Sequence, residues 1–162
     1  MPDNLAVIPT TSDDAAAMPR AELRAADVTV RFMLAGNAHV TFQSGKTGTR
    51  FTYHVEAAPE REAFRVTHFV KVLTGPDHYE YLGCIYPNRL YKHGRNSKIS
   101  TGAPSAIAFT WCWAKLTAGK MPGVLGVYHE GRCGKCGRRL TTPESIETGL
   151  GPTCAKREGG SR

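Results

Sequence analysis

Apolar and polar residues alternate in several short stretches of the first half of the chain. Alternation with a period of two is typical of strands that bury one face. Turn-forming residues such as Gly36-Asn37 and the Gly45–Gly48 segment separate the stretches. The pattern predicts an antiparallel sheet of about five strands, at residues 28–34, 39–43, 49–55, 64–73 and 78–86.

A helical pattern follows the predicted sheet, beginning at Pro104 and ending at Gly119. Proline suits the first turn of a helix because its missing N–H would have no partner there, and glycine suits the position after the last turn. We predict one buried helix that packs between the sheet and the tail, because apolar residues cover two of its faces. These residues are Ile107, Phe109, Trp111, Cys112, Trp113 and Leu116.

Composition divides the chain into three parts. Residues 1–27 are rich in Ala, Asp, Thr and Pro, and they contain too few large apolar groups to offset the entropy of ordering. We therefore expect a flexible leader at 1–27, an α+β domain at 28–120 and a zinc-binding module at 121–162. The sequence contains no apolar run near the roughly 20 residues of a membrane span, so no membrane partner is expected.

Metal-binding residue types cluster in the tail. Cys133 and Cys136 form a Cys-x-x-Cys knuckle, and Cys154 opens a predicted helix. With His129 they would complete a tetrahedral Zn²⁺ shell, and a closed shell is structural. The alternatives are a Cys133–Cys136 disulfide, or water, another histidine or Cys112 as the fourth ligand. An odd total of five cysteines favours metal and a reducing cytoplasm over disulfides.

Positive charge is concentrated in the second half of the chain. The net charge is +7, and residues 89–120 contain six basic residues and no acidic one. Basic surfaces attract polyanions, and aromatic rings interleaved with cations can stack on bases while the cations meet phosphates. The alternative is a packed strand whose charges are merely solvated. The predicted contacts to DNA or RNA are Arg89, Tyr91, Lys92, Arg95 and Lys98, with Arg138 and Arg139 beside the knuckle.

The tail resembles a known kind of module. The knuckle at 131–141, followed by Pro143-Glu144-Ser145-Ile146 and by residues 149–154, is similar to a small zinc-binding domain of unassigned function. That domain recurs in uncharacterised phage and bacterial proteins and beside helicase-like domains. The resemblance implies a phage or bacterial cytoplasm, association with nucleic-acid processing and no established reaction. It supports the metal ligands as His129, Cys133, Cys136 and Cys154.

These observations favour a small zinc-containing nucleic-acid-binding protein with a treble-clef-like tail. The second interpretation is a protein-interaction module that binds or inhibits a host defence or replication protein, with the leader and the aromatic segment as contact surfaces. An enzyme is less favoured, because the sequence shows no paired carboxylates beside a histidine and no nucleophile motif.

Overall fold

The computed structural model describes residues 21–60 and 65–160, with side chains described up to Lys156 in the last helix. The described residues form seven strands and four helices. In chain order these are β1 (Ala21–Glu22), α1 (Ala26–Met33), β2 (Asn37–Ser44), β3 (Arg50–Ala57), β4 (His68–Gly75), β5 (His78–Ile85), β6 (Tyr91–His93), α2 (Pro104–Thr117), β7 (Leu125–His129), α3 (Pro143–Thr148) and α4 (Pro152–Gly160).

The strands form one antiparallel sheet in the order β1-β7-β2-β3-β4-β5-β6. Strands β2 to β5 confirm four of the predicted strands, although position 64, where one of these was expected to begin, lies outside the described residues. The predicted count of five is too low. Strands β1 and β6 contain two and three residues, which is too short for alternation to reveal them, and β7 has only five residues, one of which is Gly126.

Residues 28–34 form most of helix α1 and not the predicted strand. This segment satisfies both periodicities, because the buried residues Ala26, Val30 and Met33 recur at intervals of four and three. The hydroxyl of Thr29 donates to the carbonyl of Ala25 at 2.8 Å, inside the helical turn. The segment forms a helix whose apolar side chains pack on one face of the sheet, and its backbone is not paired with any strand.

The main core lies between one face of the sheet and helices α1 and α2. Helix α2 is confirmed with its predicted first-turn proline, and Gly119 follows it with a φ of 80°. Phe109 and Trp113 are buried, whereas Ile107 and Trp111 are 54% and 44% exposed. The prediction that α2 is buried on two sides is therefore wrong, because one of its apolar faces meets solvent.

The first and the last strands of the described chain are neighbours in the sheet. Ala21 of β1 pairs with His129 of β7, and β7 in turn pairs with β2. Leu23 is buried in the core. Of the predicted leader, residues 1–20 lie outside the described residues, and the last seven belong to the fold. The sheet also continues into the tail segment that was assigned to the zinc module.

Among the four described helices, none combines the length and the apolar composition that crossing a bilayer requires.

Candidate metal centre and basic surface

Backbone hydrogen bonds hold the knuckle in a tight turn. The N–H of Gly137 donates to the carbonyl of Cys133 at 3.0 Å, and the N–H of Cys133 donates to the carbonyl of Arg138 at 2.8 Å. Gly137 has a φ of 80°, a left-handed conformation that glycine adopts without steric cost. Arg132 and Arg139 then pair as an isolated antiparallel bridge. The Cys-Gly-Lys-Cys-Gly sequence therefore forms the tip of a short hairpin.

Two short helices carry the third cysteine back to the knuckle. Helix α3 begins after Thr142, whose hydroxyl accepts the N–H of Ser145 at 3.3 Å. It ends at Gly149, which is left-handed with a φ of 77°. Helix α4 begins at Pro152, and Cys154 lies buried in its first turn. The predicted position of Cys154 at the start of a helix is confirmed.

The structure brings the three tail cysteines together. The sulfurs of Cys133, Cys136 and Cys154 all lie within 4.8 Å of one another, and none of these thiols is in a disulfide. With Zn–S bonds of about 2.3 Å, the sulfurs of a tetrahedral zinc site are about 3.8 Å apart. The cluster therefore needs only a small contraction to close around an ion. It could hold a metal ion, which suggests a structural zinc site.

The electrostatics of the cluster suit a cation at its centre. Burial raises the pKa of the Cys133 thiol, but the backbone N–H groups of Cys136, Gly151 and Lys135 outweigh burial and lower that pKa to about 7. The N–H of Lys135 lies 3.4 Å from the Cys133 sulfur. Burial and contacts with the other two thiols raise the pKa of Cys154 to about 11. A divalent cation would remove that proton, because metal ligation deprotonates a thiol.

His129 was predicted as the fourth ligand, but its ring nitrogens have other partners. Nδ1 accepts the N–H of Gly131 at 3.0 Å, and Nε2 lies 2.7 Å from the carbonyl of Ile146. Because Nδ1 is the acceptor, Nε2 carries the proton and donates it. Burial lowers the pKa of His129, which favours this neutral ring. In this geometry His129 has no free electron pair for a metal ion.

The rest of the described chain does not provide a fourth metal ligand either. The metal-ligand group found among residues 21–60 and 65–156 consists of the three cysteines. Cys112, the alternative ligand, lies in α2 within the main core, where burial raises the pKa of its thiol to about 12. Three thiolates are therefore what the described side chains offer.

Phe32 of α1 connects this centre to the sheet. Its ring is 1% exposed and lies against Gly134 in the knuckle and Gly149 after α3, where an added β-carbon would collide with it. The ring of His129 is 5.4 Å from the Phe32 ring, centroid to centroid. The carbonyl of Gly134 also accepts the N–H of Asn37 at 2.7 Å. The sequence did not reveal this role, because an apolar residue at position 32 is also what a strand facing the core would contain.

The basic segment around β6 is only partly available to a ligand. Arg89, Lys92 and Arg95 are exposed. Tyr91 instead packs on Phe109 in the core, with ring centroids 4.8 Å apart, so its predicted stacking on a base does not fit the structure. Lys98 is exposed but lies near the carboxylate of Glu80. The pKa of Glu80 is lowered chiefly by a hydrogen bond from His78 and less by Lys98.

The two groups of predicted nucleic-acid contacts lie near opposite edges of the sheet. Arg138 and Arg139 are exposed in the hairpin that follows β7, whereas the other group surrounds β6. Five inter-strand steps separate β7 from β6, which corresponds to about 24 Å at about 4.8 Å per step. The structure does not join them into one patch. Arg138 and Arg139 instead follow Cys136 in the hairpin, and the carbonyl of Arg138 accepts the N–H of Cys133.

The geometry describes an α+β protein whose tail is organised around a candidate structural metal centre. Residues 123–159 match the profile of a family described as Family of unknown function (DUF6011). The match spans β7, the knuckle and the third cysteine, in agreement with the resemblance of the tail to an uncharacterised module. No curated protein and no solved structure matches the chain.

Proposed function

We propose that this chain is a small nucleic-acid-binding protein in which Zn²⁺ orders a treble-clef-like module within the tail at 121–162, and the α+β domain at 28–120 shares its sheet with the first strand of that tail. The three thiolates of Cys133, Cys136 and Cys154 hold the ion. All five cysteines lie within the described residues and are unpaired, which supports the reducing cytoplasm of a bacterial or phage-infected cell.

The sulfur cluster carries the zinc part of this proposal. Its donors are soft thiolates, its knuckle is fixed by backbone hydrogen bonds, and two of its cysteines are buried. Purified protein should contain zinc, and Cys136→Ser should lower the zinc content well below that of wild type. Cys84→Ser, at a thiol outside the cluster, is the matched control and should keep the wild-type content. Equal zinc in all three proteins, or in none, would contradict the proposal.

The distribution of charge carries the nucleic-acid part. No acidic residue occurs between Glu80 and Glu130, and this interval contains Arg89, Lys92 and Arg95, all exposed. Three cations that each neutralise a phosphate on a single strand give a slope of about −2 in log K against log salt. Arg138 and Arg139 form a separate candidate contact and add to this slope if the same molecule reaches them.

A fluorescence-anisotropy titration with a labelled oligonucleotide tests this part. Raising the salt concentration about fourfold should weaken binding about tenfold or more. Arg95→Ala should lower the affinity and make the salt dependence shallower, whereas Lys120→Ala on the exposed end of the α2 region should change neither. Absence of binding at low salt would refute this part and leave the zinc centre unaffected.

The second candidate is the protein-interaction module, and α2 provides the observation that favours it. Ile107 and Trp111 are exposed one turn apart, and the Nζ of Lys115 lies 5.7 Å from the Trp111 ring centroid. An exposed apolar pair beside a cation fits a partner with an apolar and acidic surface. Capture of one host protein from nuclease-treated lysate by wild type, and loss of that capture in Trp111→Ser, would favour this function over nucleic-acid binding.

A further inference from the structure

Strands β4, β5 and β6 present a second face, opposite the core, that carries aromatic side chains. Strand register places Phe69 opposite Cys84 and places Lys92 opposite the same cysteine. Neither Phe69 nor Tyr81 nor Tyr86 belongs to the main core, and each is only half-buried. Among the described residues the core helices pack on the other face, so these rings line a surface without a helical layer.

The rings on this face are held in place by their neighbours. Phe69 and Tyr81 meet edge to face, with centroids 6.2 Å apart. The Tyr81 ring lies against Gly94, where a β-carbon would collide with it. Cys84 lies between these tyrosines and raises the pKa of Tyr86, and burial followed by Cys84 raises the pKa of Tyr81. A fixed ring loses little conformational freedom when a flat ligand stacks on it.

Next to these rings lies an open groove of about 440 Å³. Arg65 and Lys92 contribute two cations to it, and the Nζ of Lys92 is 5.9 Å from the Tyr86 ring centroid. Leu90, which is 59% exposed, adds an apolar wall. No acidic side chain lines the groove among the described residues. Its lining residues are Arg65, Tyr86, Pro87, Asn88, Leu90 and Lys92.

The loop that forms one wall is rigid and locally strained. The N–H of Tyr86 donates to the carbonyl of Leu90 at 2.9 Å, which closes the loop. Arg89 has a φ of 69°, a left-handed conformation that is unfavourable for a residue with a β-carbon. The indole N–H of Trp113 donates to the carbonyl of Arg89 at 2.7 Å and holds it there. Backbone strain that the surrounding structure maintains is concentrated at ligand-contacting positions.

We infer that this groove is a binding site for single-stranded nucleic acid, with a base stacked on Tyr86 and phosphates bound by Arg65 and Lys92. The inference rests on the proposed function and replaces Tyr91 by Tyr86 as the stacking residue. A base can lie flat on Tyr86 only when it is unpaired, because a duplex keeps both faces of its bases covered. The site therefore selects single strands over duplexes of the same sequence.

The test compares single-stranded DNA, single-stranded RNA and duplex DNA of one sequence, about 12 nucleotides long, by fluorescence anisotropy. Wild type should bind single strands more tightly than the duplex. Tyr86→Ala should weaken single-strand binding by about 5-fold to 150-fold, as expected for loss of one stacked base. Tyr86→Phe keeps the ring and should bind like wild type. Tyr128→Ala, which removes a half-buried ring from β7 far across the sheet, is the matched control and should also bind like wild type.

The outcomes separate this inference from the proposed function. Lack of binding to all three oligonucleotides overturns both. Binding that is equal for duplex and single strand, or that survives Tyr86→Ala unchanged, overturns the site and leaves a basic nucleic-acid-binding protein. Single-strand binding that falls in Tyr86→Ala and returns in Tyr86→Phe supports the site, and the ratio of RNA to DNA affinity then tells which sugar it prefers. Thermal melts of each variant confirm that the fold is intact.

Discussion

Replacing His129 by leucine separates its two conceivable roles. As a structural residue, His129 joins the knuckle to α3 through one bond to Gly131 and one to Ile146. As a metal ligand, it would instead provide a nitrogen to the zinc shell. Leucine fills a similar volume, cannot hydrogen-bond and cannot bind zinc. The structural role predicts lower stability with the metal site retained, whereas the ligand role predicts an altered metal site.

The expected loss of stability follows from the contacts. His129 is 5% exposed and its two hydrogen bonds are partly buried, so His129→Leu leaves the N–H of Gly131 and the carbonyl of Ile146 without their protein partners. A hydrogen bond contributes about 0.5–1.5 kcal/mol net, which gives about 1–3 kcal/mol in total. His129→Asn places an oxygen near the position of Nδ1 and keeps the Gly131 bond, so we expect about half of that loss. Against a total stability of about 5–15 kcal/mol, both losses are measurable.

Urea unfolding at saturating zinc measures the loss, and the absorption spectrum of the cobalt-substituted protein reports the metal ligands. We expect both variants to be destabilised and to keep the wild-type cobalt spectrum. His78→Leu, at a histidine whose side chain is 63% exposed, should change stability by less than about 0.5 kcal/mol. A His129→Leu protein with wild-type stability but a changed cobalt spectrum would refute the structural role and restore His129 as a ligand.

Three further predictions concern other parts of the fold. Phe32→Ala should lower the free energy of unfolding by about 3–5 kcal/mol, because it leaves a cavity between α1 and the metal centre. Urea unfolding measures this loss. A loss below about 1 kcal/mol would contradict the role of the ring. Trp113→Phe should cost about 1–3 kcal/mol by the same measurement, because it leaves the carbonyl of Arg89 without its donor, whereas Trp111→Phe at an exposed position should cost almost nothing. Wild type should lose stability between pH 7 and pH 5, and His54→Gln should lose less over the same range. Burial and then His39 and Lys71 lower the pKa of His54 to about 4, against the raising effect of Glu56. The unfolded chain therefore binds more protons below about pH 6.5, and wild type should lose up to about 2 kcal/mol by pH 5. An identical pH dependence in wild type and His54→Gln would contradict this assignment.

Much of the sheet could be predicted because alternation is a local signal. Strands β2 to β5 contain long alternating runs between clear turns, and their pairing follows chain order. Segment 28–34 could not be assigned in the same way, because its apolar spacing fits a strand and a helix equally well. Strand β7 pairs with β2 only through a contact that spans most of the chain, and no local pattern encodes such a partner.

The candidate metal centre shows the same division between local and distant information. The knuckle and the first-turn position of Cys154 could be predicted from spacing and from helix-start residues. The role of His129 could not, because residue type does not reveal that Gly131 and Ile146 occupy both ring nitrogens. Tyr91 failed as a contact for a related reason. Its register opposite Ile85 places its side chain on the core side of the sheet, and that register depends on how β5 and β6 pair.

The pairing of β7 with β2 has a consequence for how the protein is made. Until the ribosome has added residues 125–129, the five residues of β2 that pair with β7, at 40–44, have an unpaired backbone edge next to apolar side chains. Such an edge can pair with another chain. A nascent chain stalled before β7 is therefore at risk of aggregation, and synthesis of the tail ends that risk before any metal is bound.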